Sequence, residues 1–102
     1  MDVNYILRQV NNALQGYSEE NCTVHADTDE VLVTGEYKGN PLRMHIQEVN
    51  KNCIDVRVTY KTRVGTVPQL GLIDKVVAEQ ARVQPIQVEQ ATRILLQQVT
   101  VE

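Results

Sequence analysis

The sequence predicts an α+β fold, in which a four-stranded antiparallel meander follows one helix and precedes two more, in the order αββββαα. Three observations support this prediction. Apolar and polar residues alternate in four runs between positions 22 and 62, as in strands with one buried and one solvated face. Three turn signals separate the runs, and apolar residues recur at helical spacing on either side of them. A chain of 102 residues is expected to form a single α+β domain, residues 1–102.

The first element is a helix predicted over residues 2–15. Its apolar residues recur every three or four positions and form one stripe, namely Val3, Ile6, Leu7, Val10, Ala13 and Leu14. Asp2 is suited to cap the start of this helix, and Gly16 is suited to follow its end. Because a helix of this length is unstable alone in water, we expect it to pack on the apolar face of the sheet.

Four strands are predicted near residues 22–27, 30–38, 41–49 and 53–62. Within each run, every second residue is apolar and points to a common face, giving the set Cys22, Val24, Ala26, Val31, Val33, Tyr37, Leu42, Met44, Ile46, Ile54, Val56, Val58 and Tyr60. A slip of one residue in any pairing would expose the whole apolar set of a strand, so the alternation determines the faces.

The turn signals predict the register of the sheet. Hairpin loops of two, two and three residues are expected at Thr28-Asp29, Gly39-Asn40 and Asn50-Lys51-Asn52. These loops predict cross-strand pairs of His25 with Leu32, Lys38 with Pro41, Glu36 with Arg43, Thr34 with His45, Val33 with Ile46, His45 with Arg57, Gln47 with Asp55, and Met44 with Val58.

The alternation ends after Lys61, and residues 62–69 are predicted to be a connection. Helices are expected to begin near Pro68 and at Pro85, since proline suits the first helical turn, with a short joint at Val83-Gln84. Their apolar stripes are Leu70, Ile73, Val76, Val77 and Ala81 for the first helix, and Val88, Ala91, Ile94, Leu95 and Val99 for the second. This pair resembles the helix-turn-helix arrangement of many nucleic-acid-binding modules.

Composition narrows the functional classes. Ten basic and 13 acidic residues give a net charge of −3, which disfavours nucleic-acid binding through phosphate contacts. No apolar run approaches the roughly 20 residues of a membrane-spanning helix, and the N-terminus lacks the features of a secretory signal. Two cysteines are too few for a disulfide framework. We therefore expect a cytoplasmic protein that does not bind membranes.

The sequence contains no catalytic, cofactor-binding or metal-binding motif. His25 and His45 are predicted two strands apart, about 11 Å from each other, which is too far for one zinc ion with ligand bonds of about 2 Å. Cys22 and Cys53 are predicted on opposite faces and three strands apart, whereas a disulfide requires Cα atoms within about 7 Å. We expect a protein that is not an enzyme and holds no metal or cofactor.

The polar face of the sheet is the candidate binding surface, and its candidate residues are Glu36, Arg43, His45, Gln47, Asp55 and Arg57. Two interpretations apply to this set. It recognises an anionic group or a partner protein, or it is an ordinary solvated sheet face on which opposite charges pair across strands. Leu32 interrupts the polar pattern of this face and marks a candidate interface centre.

These observations favour a small acidic, non-enzymatic protein-binding or accessory domain. A homodimer is expected, because the apolar stripes of three helices exceed what one small sheet can cover. One alternative is a small-molecule or lipid-binding module with a pocket between the sheet and the helices. Another is a nucleic-acid-associated protein that uses the C-terminal helical pair, although the second helix of that pair offers only one cation, Arg93. No motif in the sequence identifies a family.

Overall fold

The computed structural model of this chain describes residues 1–14, 22–65 and 72–101. The elements are α1 (Val3–Ala13), β1 (Cys22–Ala26), β2 (Glu30–Tyr37), β3 (Asn40–Asn50), β4 (Cys53–Gly65), β5 (Leu72–Val83), a 3₁₀ turn (Pro85–Gln87) and α2 (Val88–Thr100). The predicted α+β class, with an antiparallel sheet between an N-terminal and a C-terminal helix, is confirmed. The predicted element count is wrong, because the described residues form five strands and two helices.

The sheet is an antiparallel meander in the order β1-β2-β3-β4-β5. The predicted faces are confirmed on its three central strands, where the apolar residues at alternate positions are buried beneath the helices. The core of the described residues comprises Ile6, Val10, Leu14, Val31, Val33, Leu42, Met44, Ile46, Ile54, Val56, Val58, Tyr60, Val88, Leu95, Leu96 and Val99. The edge strand β1 differs, since the side chain of Val24 is 43% exposed.

The predicted register is confirmed at two of the three hairpins. His25 lies opposite Leu32, and both Met44–Val58 and His45–Arg57 pair as expected. The third hairpin has a tighter loop than predicted, since a bulge at Val49 brings Asn50 opposite Cys53. The polar and apolar faces are unaffected by this difference.

The hairpin between β2 and β3 is displaced by two residues from the prediction. Its loop is Lys38-Gly39 rather than Gly39-Asn40, and both loop residues have positive φ angles, 51° and 82°, as a type I′ turn requires. Asn40 belongs to β3, where its Nδ2 donates a hydrogen bond of 3.1 Å to the hydroxyl of Tyr60. Because the displacement is an even number of residues, every side chain keeps its predicted face.

This displacement changes the partners across β2 and β3. Arg43 lies opposite Thr34 and not opposite Glu36. Glu36 and Lys38 both lose their predicted partners, since Pro41 lies opposite Glu36. The predicted pairs of Thr34 with His45 and Val33 with Ile46 are wrong for the same reason; the structure pairs His45 with Leu32, and Ile46 with Val31.

The segment Leu72–Val83 is a strand, where the sequence predicted most of a helix. β5 pairs with β4 from Ile54 opposite Val83 to Gly65 opposite Leu72. The helix-turn-helix arrangement of the nucleic-acid alternative is therefore not formed. The predicted helix start near Pro68 and residues 66–69 of the predicted connection lie outside the described residues. Residues 62–65 of that connection belong to β4 instead. The ladder between β4 and β5 also extends beyond the neighbouring one, because β3 pairs with β4 only as far as Tyr60.

The helices form one layer on the apolar face of the sheet. α2 lies over β4 and β5, and α1 packs beside α2. The predicted N-cap of α1 is confirmed, because the Asp2 carboxylate accepts a hydrogen bond of 3.2 Å from the Tyr5 amide. The predicted C′ residue, Gly16, lies outside the described residues.

A buried glutamine connects the two helices. Gln9 is 7% exposed, and its Nε2 donates a hydrogen bond of 2.7 Å to the carbonyl oxygen of Pro85. Its Oε1 accepts a hydrogen bond of 3.0 Å from the Glu89 amide, in the first turn of α2. One side chain of α1 thus satisfies two backbone groups where α2 begins.

The buried Tyr60 hydroxyl makes a further polar contact, which a conservative substitution can test. It donates a hydrogen bond of 2.8 Å to the carbonyl oxygen of Tyr37 and accepts one from Asn40. We expect Tyr60→Phe to lower the free energy of unfolding by about 1 kcal/mol, since both partners lose a hydrogen bond. Urea denaturation measures the difference. Tyr5→Phe is the matched control, and equal stability of the two variants would contradict the expectation.

Candidate functional site

The six candidate residues all lie on the sheet surface opposite the helices, which we call the open face. β2 contributes Glu36, β3 contributes Arg43, His45 and Gln47, and β4 contributes Asp55 and Arg57. The strict alternation of these strands directs the side chains away from the core beneath α1 and α2. No helix of the described residues covers this face.

Four neighbouring positions on β3 and β4 form a cluster on the open face. Arg43 lies opposite Thr59, and His45 lies opposite Arg57; we call these four residues the donor quartet. Directly opposed Cβ atoms in such a sheet are about 4.5–5.5 Å apart, and diagonal residues about 7–8 Å. The quartet lines a hollow of about 330 Å³ together with Leu32 of β2.

The two arginines of the quartet have no ion-pair or hydrogen-bond partner within the part of the chain that the structure describes. Both guanidinium-bearing residues are exposed. The nearest carboxylates are engaged elsewhere: Glu30 contacts Nε2 of His45, and the Asp55 carboxylate accepts hydrogen bonds of 3.1 and 3.3 Å from Nε2 of Gln80. The hollow is therefore bordered by two cations that form no ion pair with the described residues.

The predicted pairing of Glu36 and Asp55 with Arg43, His45 or Arg57 is not found among the described residues. Other opposite charges do meet on this face, since Glu30 contacts His45 and Lys61 forms an ion pair with Asp74. Glu36 was placed opposite Arg43 by the predicted register, but the displaced hairpin puts it opposite Pro41. Asp55 lies between Gln47 on β3 and Arg82 on β5 and bonds to Gln80. Glu36 and Gln47 are exposed and do not line the hollow.

Three residues that shape the site were not among the six candidates. Glu30 was missed because the predicted register moved β2 along β3 by two residues. Its position at the start of an alternating run was the available signal, since alternation places it on the same face as Leu32. Gln80 was missed because β5 was predicted to be helical. Thr59 shares the face of Arg57 by the same alternation, and its hydroxyl completes the quartet.

A second concave surface lies on the helix side of the sheet, between α1 and β1. It is a groove of about 630 Å³, lined by Leu7, Val10, Val24 and Val33 with Asn4, Arg8 and Asn11 at its border. α2 lies over β4 and β5, and α1 packs beside α2, whereas β1 is the edge strand farthest from β5. β1 is the strand left uncovered, which explains the exposure of Val24.

The described residues do not assemble a reactive centre around their cysteines or histidines. Cys22 and Cys53 are free thiols on strands that are not neighbours, β1 and β4. No group of three His, Cys, Asp or Glu side chains in residues 1–14, 22–65 and 72–101 is arranged to hold a metal ion. The donor quartet offers hydrogen-bond donors and positive charge, which is chemistry suited to binding an anion.

Comparison with known proteins gave no relative of this chain. No protein-family model, curated protein or solved structure matches it. Among the described residues, neither helix has the length and apolar composition needed to cross a membrane. The function is therefore inferred from the geometry of the two concave surfaces.

Proposed function

We propose that this protein is a non-enzymatic binding module of the cytoplasm, which recruits a partner protein with an acidic surface through its open face. The observation that carries the proposal is the pair of arginines, Arg43 and Arg57, that border one hollow without an ion-pair partner among the described residues. Arginine is enriched at protein interfaces and at binding hot spots. Leu32, in the same hollow, supplies an apolar contact next to these cations.

The charge balance of the chain supports this proposal. With 13 acidic and 10 basic residues, an ordinary solvated sheet would be expected to place carboxylates beside its cations. Here Glu30 contacts His45 and Asp55 bonds to Gln80, and neither carboxylate forms an ion pair with Arg43 or Arg57. An acidic partner would supply the opposite charge and gain specificity and association rate from complementary charge.

The test is affinity capture, in which this chain binds its partner protein from the native cell extract and the amount captured is measured. We expect Arg43→Ala/Arg57→Ala to reduce capture of the specific partner at least tenfold relative to the unchanged chain. Arg8→Ala/Lys51→Ala is the matched control, because it removes two exposed cations that are not on the open face. Equal capture by all three proteins would refute the proposal.

The homodimer also stands as a proposal. Both edge strands of the described sheet, β1 and β5, have one side without a neighbouring strand, and unpaired strand edges are common sites of association. Size-exclusion chromatography with light scattering measures the mass directly. A monomer at high micromolar concentration would refute the dimer.

A second candidate function is the binding of an apolar small molecule or lipid, which is favoured by the groove between α1 and β1. Its volume and its lining of Leu7, Val10, Val24 and Val33 are in the range of small-molecule sites. A fluorescent naphthylamine dye should bind the unchanged chain, and Val24→Asp should abolish the signal. His25→Asp, on the other face of β1, is the control, and binding that is insensitive to Val24→Asp would refute this candidate.

A further inference from the structure

We infer that the donor quartet is a binding site for a tetrahedral oxyanion of the phosphate class. The inference deepens the proposed function and rests on it, because a phosphorylated side chain of the partner protein would carry this group to the open face. Free phosphate has the same chemistry and is the other source of such a ligand. Three observations lead to this inference: the positions of the two arginines, the number of hydrogen-bond donors in the quartet, and the size of the hollow.

The arrangement brings two guanidinium groups to one place. Arg43 and Arg57 stand on adjacent strands at diagonal positions, and both line the same hollow. Each guanidinium presents five N–H donors in a planar fork, which matches two oxygens of a phosphate group at once. Thr59, directly opposite Arg43, adds a hydroxyl that can donate a further hydrogen bond.

The number of donors favours a phosphate over a carboxylate. A carboxylate has two oxygens, and one arginine fork already satisfies them. Two forks and a hydroxyl match a group with three free oxygens and a charge between −1.5 and −2, which is the charge of a phosphorylated side chain at neutral pH. Arginine is also better suited than lysine to planar, bidentate recognition of this kind.

His45 and Glu30 have a positioning role in this site. Nε2 of His45 is bonded to the Glu30 carboxylate, so this acidic group is engaged by the imidazole rather than by either arginine. His45 stands directly opposite Arg57 and separates that arginine from Glu30 across the sheet. The arginines thereby keep their donors available for an external anion.

The volume of the hollow limits how large a ligand group can enter it. About 330 Å³ is near the lower end of small-molecule sites. This space admits a phosphate group with the side chain that bears it, and the rest of a partner would lie on the surrounding open face. Leu32 lies beside the quartet and offers an apolar contact to the residue that carries the phosphate.

The experiment is a titration of the full chain, followed through its backbone amides by ¹H–¹⁵N NMR. The probes are inorganic phosphate, a short peptide with one phosphoserine, and the same peptide with unmodified serine. We expect saturable shifts at residues 43, 45, 57 and 59 with both phosphate probes and none with the serine peptide. Tighter binding of the phosphopeptide assigns the source to a modified partner, whereas equal binding assigns it to free phosphate.

Variants make the titration specific. Arg57→Lys keeps the charge and removes the fork, and we expect it to weaken phosphopeptide binding at least tenfold. Arg43→Ala/Arg57→Ala should abolish the shifts, and Lys38→Ala/Lys51→Ala, which removes two exposed cations of hairpin loops, should leave them unchanged. Amide dispersion of each variant in the same spectra reports that it is folded. Shifts that are absent, not saturable or unaffected by the loss of both arginines would overturn the inference.

The two proposals fail in different ways. If the phosphate probes do not bind the quartet while Arg43→Ala/Arg57→Ala still loses its captured partner, the oxyanion site is refuted and the protein-binding module stands. If the probes bind while capture does not depend on the arginines, the oxyanion site stands and the protein-binding proposal is refuted. Phosphatase treatment of the extract should abolish capture if both are correct.

Discussion

Replacing Gln9 by leucine is expected to lower the free energy of unfolding by about 2–4 kcal/mol. The substitution leaves the Pro85 carbonyl and the Glu89 amide without their partner. Water does not replace the side chain easily, because Gln9 is 7% exposed. The start of α2 depends on this contact, since its own N-cap residue, Gln87, makes no side-chain capping bond.

Chemical denaturation followed by circular dichroism measures this effect. Gln97→Leu is the matched control, because it makes the same change at an exposed position of α2, where we expect a difference within about 0.5 kcal/mol. If both variants unfold at the same denaturant concentration, Gln9 does not connect the helices as described.

A second large effect is expected on β5. Ala81→Asp should lower the free energy of unfolding by about 2–3 kcal/mol, whereas Ala78→Asp should change it by no more than about 0.5 kcal/mol. Ala81 is partly buried and borders Ile94 and Leu95 of α2, so an aspartate there would place a charge against an apolar surface. Ala78 is exposed on the open face, opposite Thr59.

This pair of variants also distinguishes a strand from the helix that the sequence predicted. In a helix, residues three positions apart share a face, so the two aspartates would have similar effects. In a strand, residues an odd number of positions apart point to opposite faces. Unfolding free energies from urea titrations give the comparison, and similar values for the two variants would contradict the assignment of β5.

The faces of the first four strands could be predicted because alternation is a local signal of period two. It placed Met44 and Val56 in the core and Arg43 and Arg57 on the open face without knowledge of the register. The register of the second hairpin did not follow from alternation, because a displacement by two residues leaves every face unchanged. Gly39 pairs equally well with either neighbour in a loop, and the choice depends on Asn40 reaching Tyr60, which is a contact between distant residues.

Periodicity did not predict β5, because the spacing of its apolar residues fits both a helix and a strand. Val77 and Ala81 are four positions apart, a spacing that falls on one face of a helix and also on one face of a strand. In the structure these residues pair with β4 on the side away from β3. Pairing between strands depends on residues that are distant in the sequence. It therefore cannot be predicted from residues 72–83 alone.

The sequence predicted which face the site residues share, but not which of their side chains contact each other. The positions of Arg43, His45 and Arg57 on one polar face followed from alternation. Which carboxylate approaches which cation depends on a two-residue displacement and on a fifth strand, so Glu36 was expected beside Arg43 and Glu30 was not considered. That the two arginines form no ion pair with the described residues therefore became apparent only in three dimensions.

The unequal lengths of the sheet ladders imply that the molecule does not open as a single unit. Between Ile54 and Tyr60, β4 is held by strands on both sides, whereas residues 61–65 pair, among the described residues, only with residues 72–76 of β5. A two-stranded ribbon is marginal in water, and the exposed Lys61–Asp74 ion pair of 3.1 Å adds little to it. The far end of this ladder can separate and re-form while the core remains intact, so its amide protons would exchange with solvent through local opening long before those of the central strands.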